Sequence, residues 1–158
     1  MTRPTEEMLE EHYLEHKDKD FYPGLIKYML TGPVIKMSFG GKSAIKNGRK
    51  LIAQIRKDYC PGGIKNLVHG SDSVQSAKRE LELWFGPLKK HPAMSEKIKK
   101  ALVKPTVGKD SESYEKTLIV LKPDAIVRGK VGEICSKFTT LGLEIEKLEM
   151  ALPGRELL

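Results

Sequence analysis

The sequence predicts one domain of mixed α/β class, in which helices pack against a sheet. Apolar residues alternate with polar ones from Ile35 to Phe39, the period of a strand, and apolar residues recur at helical spacing from Val74 to Trp84. A chain of 158 residues is long enough to bury about two-thirds of its unfolded surface in one core. We therefore expect a single sandwich of helices and strands.

Composition narrows the class of protein. Hydrophobic residues make up 39% of the chain and charged residues 31%, as in globular proteins. No apolar run approaches the roughly 20 residues of a membrane span, and the first 17 residues lack the apolar segment of a signal peptide. Cys60 and Cys135 are too few for a disulfide framework and lack the spacing of a zinc site. These features indicate a cytoplasmic protein that does not enter membranes.

The chain carries an excess of positive charge. Its net charge of +7 favours anionic partners, which include nucleotides, nucleic acids and acidic surfaces. Much of the excess lies in the lysine-rich stretch 89–109, which is typical of a solvated basic segment. A nucleic-acid-binding patch at 89–109 is the less favoured alternative.

The elements of the first half follow from periodicity and from helix signals. Acidic Glu6 and Glu7 follow Thr5 at the start of a predicted helix over 5–16. Pro23 suits the first turn of a second helix, which Gly32 and Pro33 end. The remaining predicted elements are a half-buried strand over 35–39, a helix over 43–55, a short strand at 66–69 and a helix from residue 71.

The second half begins with a change in composition. Residues 86–115 are rich in Lys, Pro, Ser and Gly, which is typical of a linker. An apolar strand follows at 117–121, then a helix over 131–141 closed by Gly142, and a strand over 143–150.

His69 is the first candidate for chemistry. It lies between a predicted strand and a predicted helix, where the helix N-terminus favours a phosphate group. Neutral imidazole has a lone pair and is a competent nucleophile. Glu80 lies eleven residues on, about three helical turns, and could hold the second ring nitrogen. The alternative is a structural histidine at the end of a strand.

Three cationic side chains could meet an anion. Lys122 follows the apolar strand 117–121, and Arg49 and Arg56 flank one end of an apolar helix, where each guanidinium could grip phosphate oxygens. Each could equally be an ordinary surface residue. On periodicity alone, Tyr13 and Phe21 belong to the core.

Four segments together resemble the nucleoside diphosphate kinase family. They are NLVHGSDS (66–73), SAKRELELWF (76–85), EEHYLEHKDKDFYPGLIKYMLTGPV (10–34) and KTLIVLKPDAIVRGKVGEICSKF (116–138). The resemblance implies a ferredoxin-like antiparallel sheet with helices packed on it. It also implies ping-pong transfer of the γ-phosphate between nucleotides such as ATP and GTP, and a homo-oligomer.

The resemblance assigns catalytic roles to five residues. His69 would be the phosphorylated nucleophile, Glu80 the carboxylate that orients it, and Ser71 their neighbour. Tyr13 would line the site near the histidine, and Lys122 would contact the phosphates and sugar hydroxyls.

The same resemblance assigns the nucleotide-binding residues. Asn66 would join Lys122 at the sugar hydroxyls and phosphates, and Arg49 and Arg56 would hold the phosphates. Mg²⁺ would be bound mainly through those phosphates rather than by protein ligands. Phe21 and Leu25 would offer the base an apolar platform. Stacking without hydrogen bonds to the base edge implies broad nucleotide specificity.

The order of the segments departs from the family. There the Lys-Pro-Asp strand opens the chain and the histidine segment lies near its end, whereas here the strand that precedes Lys122 comes last. We therefore interpret the chain as circularly permuted. Residues 1–85 would be the family's C-terminal part, 116–158 its N-terminal part, and 86–115 a linker joining the usual termini.

Two local departures affect the expected affinity. Arg49 and Arg56 are seven residues apart, where the family has a longer loop with a phosphate-binding threonine that has no counterpart here. Gly63 stands where the family has an apolar residue over the base. We expect weakened nucleotide binding and a smaller assembly, such as a dimer. A catalytically inactive nucleotide-binding module is the main alternative function.

Overall fold

Four strands form the sheet of this protein, whose computed structural model describes residues 4–60, 62–86 and 114–152. The strands are β1 (Val34–Lys42), β2 (Val68–Gly70), β3 (Tyr114–Leu121) and β4 (Glu144–Ala151). Their order is β2-β3-β1-β4, and each neighbouring pair is antiparallel. The predicted fold class, an α+β sandwich with a ferredoxin-like antiparallel sheet, is confirmed.

Within the described residues, six helices and one 3₁₀ turn accompany the sheet. Thr5 accepts a hydrogen bond from the Met8 amide at the first helix, and Ser73 accepts one from the Ser76 amide at the fourth. The turn is Leu14–His16, and the helices are α1 (Glu6–His12), α2 (Tyr22–Met29), α3 (Ala44–Tyr59), α4 (Val74–Phe85), α5 (Pro123–Val127) and α6 (Val131–Thr140).

Helices cover both faces of the sheet. Alternate side chains of β1 and β3 enter two separate apolar clusters, one with α3 and α6 around Ile52 and Phe138, the other with α1, α2 and α4 around Met29 and Trp84. Strand β3 lies between β1 and β2, so residues before 87 and after 113 share one core.

The prediction of a half-buried β1 was wrong. Lys36 and Ser38 are as buried as the apolar residues between them, because α4 packs on their face of the sheet and acidic side chains of the neighbouring strand β4 lie beside them. The Lys36 ammonium donates to the carbonyl oxygen of Trp84 at 2.5 Å and pairs with Glu149 at 3.0 Å. The alternating pattern predicted the strand correctly, but it did not predict that both faces of the strand are buried.

Element boundaries differ from the predictions in four places. The helix expected over 5–16 divides into α1 and the 3₁₀ turn, and the helix expected to end near residue 55 continues to Tyr59. Helix α5 directly after Lys122 was not predicted. Tyr114 and Glu115, assigned to the linker, begin β3, and the rest of the linker, with the basic stretch 89–109, lies almost wholly outside the described residues. Among the described helices, none combines the length and apolar character that crossing a membrane requires.

Candidate functional site

One cavity of about 540 Å³ brings most of the predicted site residues together. Side chains from α1, α2, α3, α4 and β2 line it, together with the residue that follows β3. Its walls include Tyr13, Phe21, Leu25, Arg49, Arg56, Asn66, His69, Glu80 and Lys122. Ser71 lies behind the wall, where it is buried.

A hydrogen-bonded chain fixes the imidazole of His69. Its Nε2 lies 3.1 Å from Oε1 of Glu80, and the Ser71 hydroxyl donates to Oε2 of the same carboxylate at 2.6 Å. The Leu118 amide of β3 donates to that hydroxyl at 3.1 Å. This bond ties the series of hydrogen bonds from His69 to the sheet. Because a carboxylate accepts, Nε2 carries the proton, and Nδ1 keeps the lone pair.

The electrostatics of the cavity keep this imidazole neutral. Burial, then the charges of Lys122, Arg56 and Arg49, lower the pKa of His69 to about 3. Burial and the neighbouring Arg56 lower the pKa of Lys122 to about 7, and burial raises the pKa of Glu80. A neutral nucleophilic nitrogen beside several cations suits attack on an anionic phosphorus centre.

This lowered pKa predicts loss of stability in acid. Between pH 6.5 and pH 3 the unfolded chain binds a proton at His69 that the folded protein does not, so the free energy of unfolding falls as the pH falls. We expect His69→Gln to reduce the drop in unfolding free energy between pH 7 and pH 4.5 by about 1–2 kcal/mol. Urea titrations of both proteins at the two pH values measure it. An equal decrease in unfolding free energy in the two proteins would contradict the lowered pKa of His69.

Arg49 and Arg56 lie within α3 rather than at its end, which corrects their predicted position. Seven residues make about two turns, so both point to the same side of the helix and both reach the cavity. Arg56 donates through Nη2 to the carbonyl oxygen of Val68 at 2.8 Å, which ties α3 to the strand carrying His69. Its Nε is buried, and no hydrogen-bond partner for it lies in the part of the chain that the structure describes.

The opposite end of the cavity is apolar. Phe21 is 45% exposed at its rim, whereas Leu25 is buried. Ile64 lies beside Gly63 on the wall and approaches Gly24 of α2. The cavity wall therefore has an apolar side chain at Ile64, one residue after the position where the sequence has Gly63.

A strained turn precedes the histidine strand. Leu67 has φ +63°, and the Val68 amide donates to the carbonyl oxygen of Asn66 at 2.7 Å, which makes a γ-turn. Asp124 accepts the Leu67 amide at 3.1 Å through Oδ2, and the amide of Lys122 donates to the Leu67 carbonyl oxygen at 2.8 Å. These bonds hold Asn66 against the cavity.

Several cavity residues were not predicted from the sequence. They come from the end of α1, the 3₁₀ turn, the loop after β2 and the first half of α4, and they are His12, Glu15, His16, Asp72, Ser76 and Arg79. His12, Glu15 and His16 neighbour the predicted Tyr13 in a polar stretch. Their position within a short helix and turn gives no signal of which side chains face inward.

Only one group among the described residues could offer three side-chain donors to a metal ion. It comprises His12, His69 and Glu80, whose donor atoms lie within 4.8 Å of one another. However, the indole N–H of Trp84 donates to Nδ1 of His12 at 3.1 Å, which leaves the proton on Nε2. An imidazole in that state has no free lone pair for a metal, so the geometry argues against this group as a metal site.

The family profile and the individual relatives that match this chain carry the same description. The sequence profile of the family described as "Nucleoside diphosphate kinase" matches residues 1–89 and 115–158. Nucleoside diphosphate kinase B of Canis lupus familiaris is 44% identical over 95 residues, which cover 54% of this chain and 62% of that protein. Nucleoside diphosphate kinase of Columba livia is 43% identical over 93 residues, 52% of this chain and 61% of that protein.

The human relative gives similar values. Nucleoside diphosphate kinase B of Homo sapiens is 43% identical over 95 residues, which cover 54% of this chain and 62% of that protein. The chain thus spans about six-tenths of the length of the curated relatives it matches. A search of the solved structures found no match.

Proposed function

Because this chain belongs to the nucleoside diphosphate kinase family, we propose that it transfers the γ-phosphate of a nucleoside triphosphate to a nucleoside diphosphate through a phosphohistidine at His69. The observation that carries this proposal is the neutral imidazole on a cationic cavity wall, with Nε2 bound to Glu80 and Nδ1 left with a lone pair. In the first half-reaction Nδ1 bonds to the γ-phosphorus, and the departing diphosphate takes the electrons of the broken P–O bond. The second half-reaction reverses these steps on an acceptor.

Other cavity residues then have defined tasks. Arg49, Arg56 and Lys122 bind the phosphates, since guanidinium and ammonium groups stabilise the charge on the oxygens during transfer. Phe21 and Leu25 take the face of the base. This combination of a cationic end and an apolar end fits ATP, GTP and other nucleotides without selecting among bases.

Unpaired polar atoms support a ligand at this position. The structure describes four buried side-chain N or O atoms without a hydrogen-bond partner, and all four belong to cavity residues: His12 Nε2, Tyr13 OH, Arg56 Nε and Asn66 Oδ1. Leaving a buried polar group unpaired lowers the stability of the fold by about 1–3 kcal/mol. The presence of four such atoms in one cavity therefore indicates that a ligand pairs with them. Asn66 Oδ1 can accept from a sugar hydroxyl, while Arg56 Nε can donate to a phosphate.

The carboxylates of the cavity fit Mg²⁺ held mainly through nucleotide phosphates. Glu80 is engaged by His69 and Ser71, and Glu15 pairs with Arg79 at 3.7 Å. Asp72 is the carboxylate left at the rim, and a hydrogen bond from Ser76 lowers its pKa and favours its ionised form. When bound, Mg²⁺ would neutralise phosphate charge, with Asp72 as the residue placed to assist.

A labelling experiment tests the proposal. Incubation with γ-labelled ATP and Mg²⁺ should give a labelled protein whose label is acid-labile and base-stable, as expected of a phosphoramidate. Addition of unlabelled GDP should move the label into GTP. Binding of ATP without any labelled protein would contradict the proposal and favour the catalytically inactive nucleotide-binding module.

We also propose that the chain is circularly permuted relative to its family, with residues 86–115 joining the usual termini. Deleting six residues within 95–112 should then change the free energy of unfolding by no more than a few tenths of a kcal/mol, because the entropy of loop closure varies slowly with length. Phosphotransfer should persist. Thermal unfolding and transfer assays measure both, and loss of folding on trimming would contradict a linker role.

The same family comparison suggests a homo-oligomer. The family's loop between the two arginines helps join subunits, and here α3 runs without interruption through Arg49 and Arg56. We therefore propose an assembly smaller than the family's hexamers, which sedimentation of the purified chain would test.

A further inference from the structure

His12 is a buried histidine beside the proposed nucleophile. It ends α1, is 4% exposed, and its ring centroid lies 4.4 Å from that of His69 in an edge-to-face arrangement. Tyr13 and Trp84 complete its surroundings, with ring centroids at 4.5 and 5.4 Å. None of the functions above uses this side chain.

Trp84 fixes which nitrogen of His12 carries the proton. The indole N–H can only donate, and it lies 3.1 Å from Nδ1 of His12, so Nδ1 must accept and Nε2 must be protonated. That Nε2–H group is buried and has no acceptor among the described residues. A buried N–H without an acceptor is rare and indicates one supplied by a ligand.

The ring is a neutral donor rather than a second cation. Burial, followed by the neighbouring His69, lowers the pKa of His12 well below 6.5, although Glu80 opposes this shift. The side chain therefore offers an N–H donor to a ligand and adds no positive charge to the cavity.

We infer that His12 is a further catalytic residue, whose Nε2–H donates to the phosphoryl group while that group is bonded to His69. This inference rests on the proposed function. The ring centroids of His12 and His69 lie 4.4 Å apart, and each ring has a nitrogen within 4.8 Å of a nitrogen of the other. A phosphoryl group bonded to His69 would therefore lie beside the His12 ring, at a separation that one hydrogen bond can bridge. Free enzyme leaves the donor unsatisfied, and phosphorylation satisfies it.

The chemistry at His12 involves no transfer of its proton. As the bond from Nδ1 of His69 to phosphorus forms, the bond from phosphorus to the bridging oxygen breaks and its electrons leave with the diphosphate. Glu80 continues to accept the Nε2–H of His69. The hydrogen bond from His12 to a non-bridging oxygen therefore stabilises the phosphoenzyme relative to the free enzyme.

The equilibrium of phosphoenzyme formation tests this donor. His12→Phe keeps a ring among Tyr13, Trp84 and His69 but removes the N–H, and His12→Gln restores an N–H donor. A hydrogen bond to a charged group corresponds to about a 10- to 100-fold change in an equilibrium constant. With labelled ATP and ADP at fixed ratios, we expect the Phe variant to form phosphoenzyme about 10- to 100-fold less favourably, and the Gln variant to recover much of that loss.

A control on the opposite face separates this effect from general destabilisation. Phe138→Leu removes a ring that stacks on Phe39 at 5.0 Å, outside the cavity, and should leave the phosphorylation equilibrium unchanged while lowering the melting temperature. Nitrogen-15 NMR of wild-type protein should show His12 protonated at Nε2.

The results separate this inference from the proposed function. Absence of label on the wild-type protein would overturn the proposed function and the role of His12 with it. Normal labelling with an unchanged equilibrium in His12→Phe would overturn the donor role alone. A proton on Nδ1, or tight binding of Zn²⁺ that His12→Phe abolishes, would also overturn it and indicate a metal ligand.

Discussion

Replacement of His69 by alanine should reduce phosphotransfer by at least about 10⁴-fold, because it removes the imidazole that carries the phosphoryl group in the proposed mechanism. The fold should remain, since this side chain is 19% exposed and contributes little packing. Coupled transfer assays between ATP and GDP measure the activity, and circular dichroism measures the fold. Labelling with γ-labelled ATP should be abolished in the same variant.

His91 provides the matched control for this experiment. It is a histidine of the same chain in the proposed linker 86–115, and it is not among the predicted site residues. His91→Ala should retain both transfer and label, so that loss in the His69 variant is specific to that position. Undiminished turnover in His69→Ala would show that this imidazole is not the nucleophile.

Replacement of Lys122 by methionine should lower kcat/KM by about 10²–10³-fold, the usual effect of removing one charged donor from a transition state. Lys122 is 3% exposed, and its ammonium lies 5.9 Å from the centroid of the Tyr13 ring. Methionine keeps the stem of the side chain and removes a poorly solvated charge, so stability should be maintained or increased. Steady-state kinetics and thermal unfolding measure both expectations.

Lys130 offers a surface comparison for that substitution. It pairs with Glu133 at 2.9 Å and lies over the ring of Tyr59, away from the cavity. Lys130→Met should leave kcat/KM within about twofold of the wild-type value. An equal loss in both variants would indicate a general effect of net charge rather than a phosphate contact at Lys122.

The lowered pKa of Lys122 predicts that nucleotide binding and kcat/KM depend on pH. With a pKa of about 7, Lys122 is largely deprotonated in the free protein at pH 8, and bound phosphates favour the charged form. Nucleotide binding should therefore take up protons at pH 8, and kcat/KM should fall as the pH rises above 7. Calorimetry in buffers of different ionisation enthalpy measures the uptake, which Lys122→Met should abolish.

Local sequence determined much of the secondary structure and one contact of the proposed site. Hydrophobic periods placed all four strands to within a few residues, because burial of one face leaves a period in the sequence. The predicted contact between His69 and Glu80 is present at 3.1 Å, because the loop after β2 turns the chain so that α4 brings Glu80 back beside that strand. The family resemblance then supplied the roles of the remaining predicted residues.

Contacts between distant segments needed the tertiary structure. The second covered face of β1 depends on α4 and β4, and the Lys36 ammonium is stabilised by groups 48 and 113 residues away. Ile64 reaches the cavity because the loop after α3 turns back toward α2. A local pattern records how a segment is buried, but it does not record which other segment covers it.

The protonation state of His12 likewise depends on tertiary contacts rather than on local sequence. The sequence placed it beside Tyr13 in a predicted helix and gave no reason to single it out. Its protonation state depends on the indole of Trp84, 72 residues away, and its proximity to His69 depends on how α1 and α4 pack on the sheet. The sequence determined the family, the strands and the histidine proposed as the nucleophile. Only the tertiary structure decided which nitrogen atoms carry protons around it, because hydrogen-bond partners are set by packing between segments.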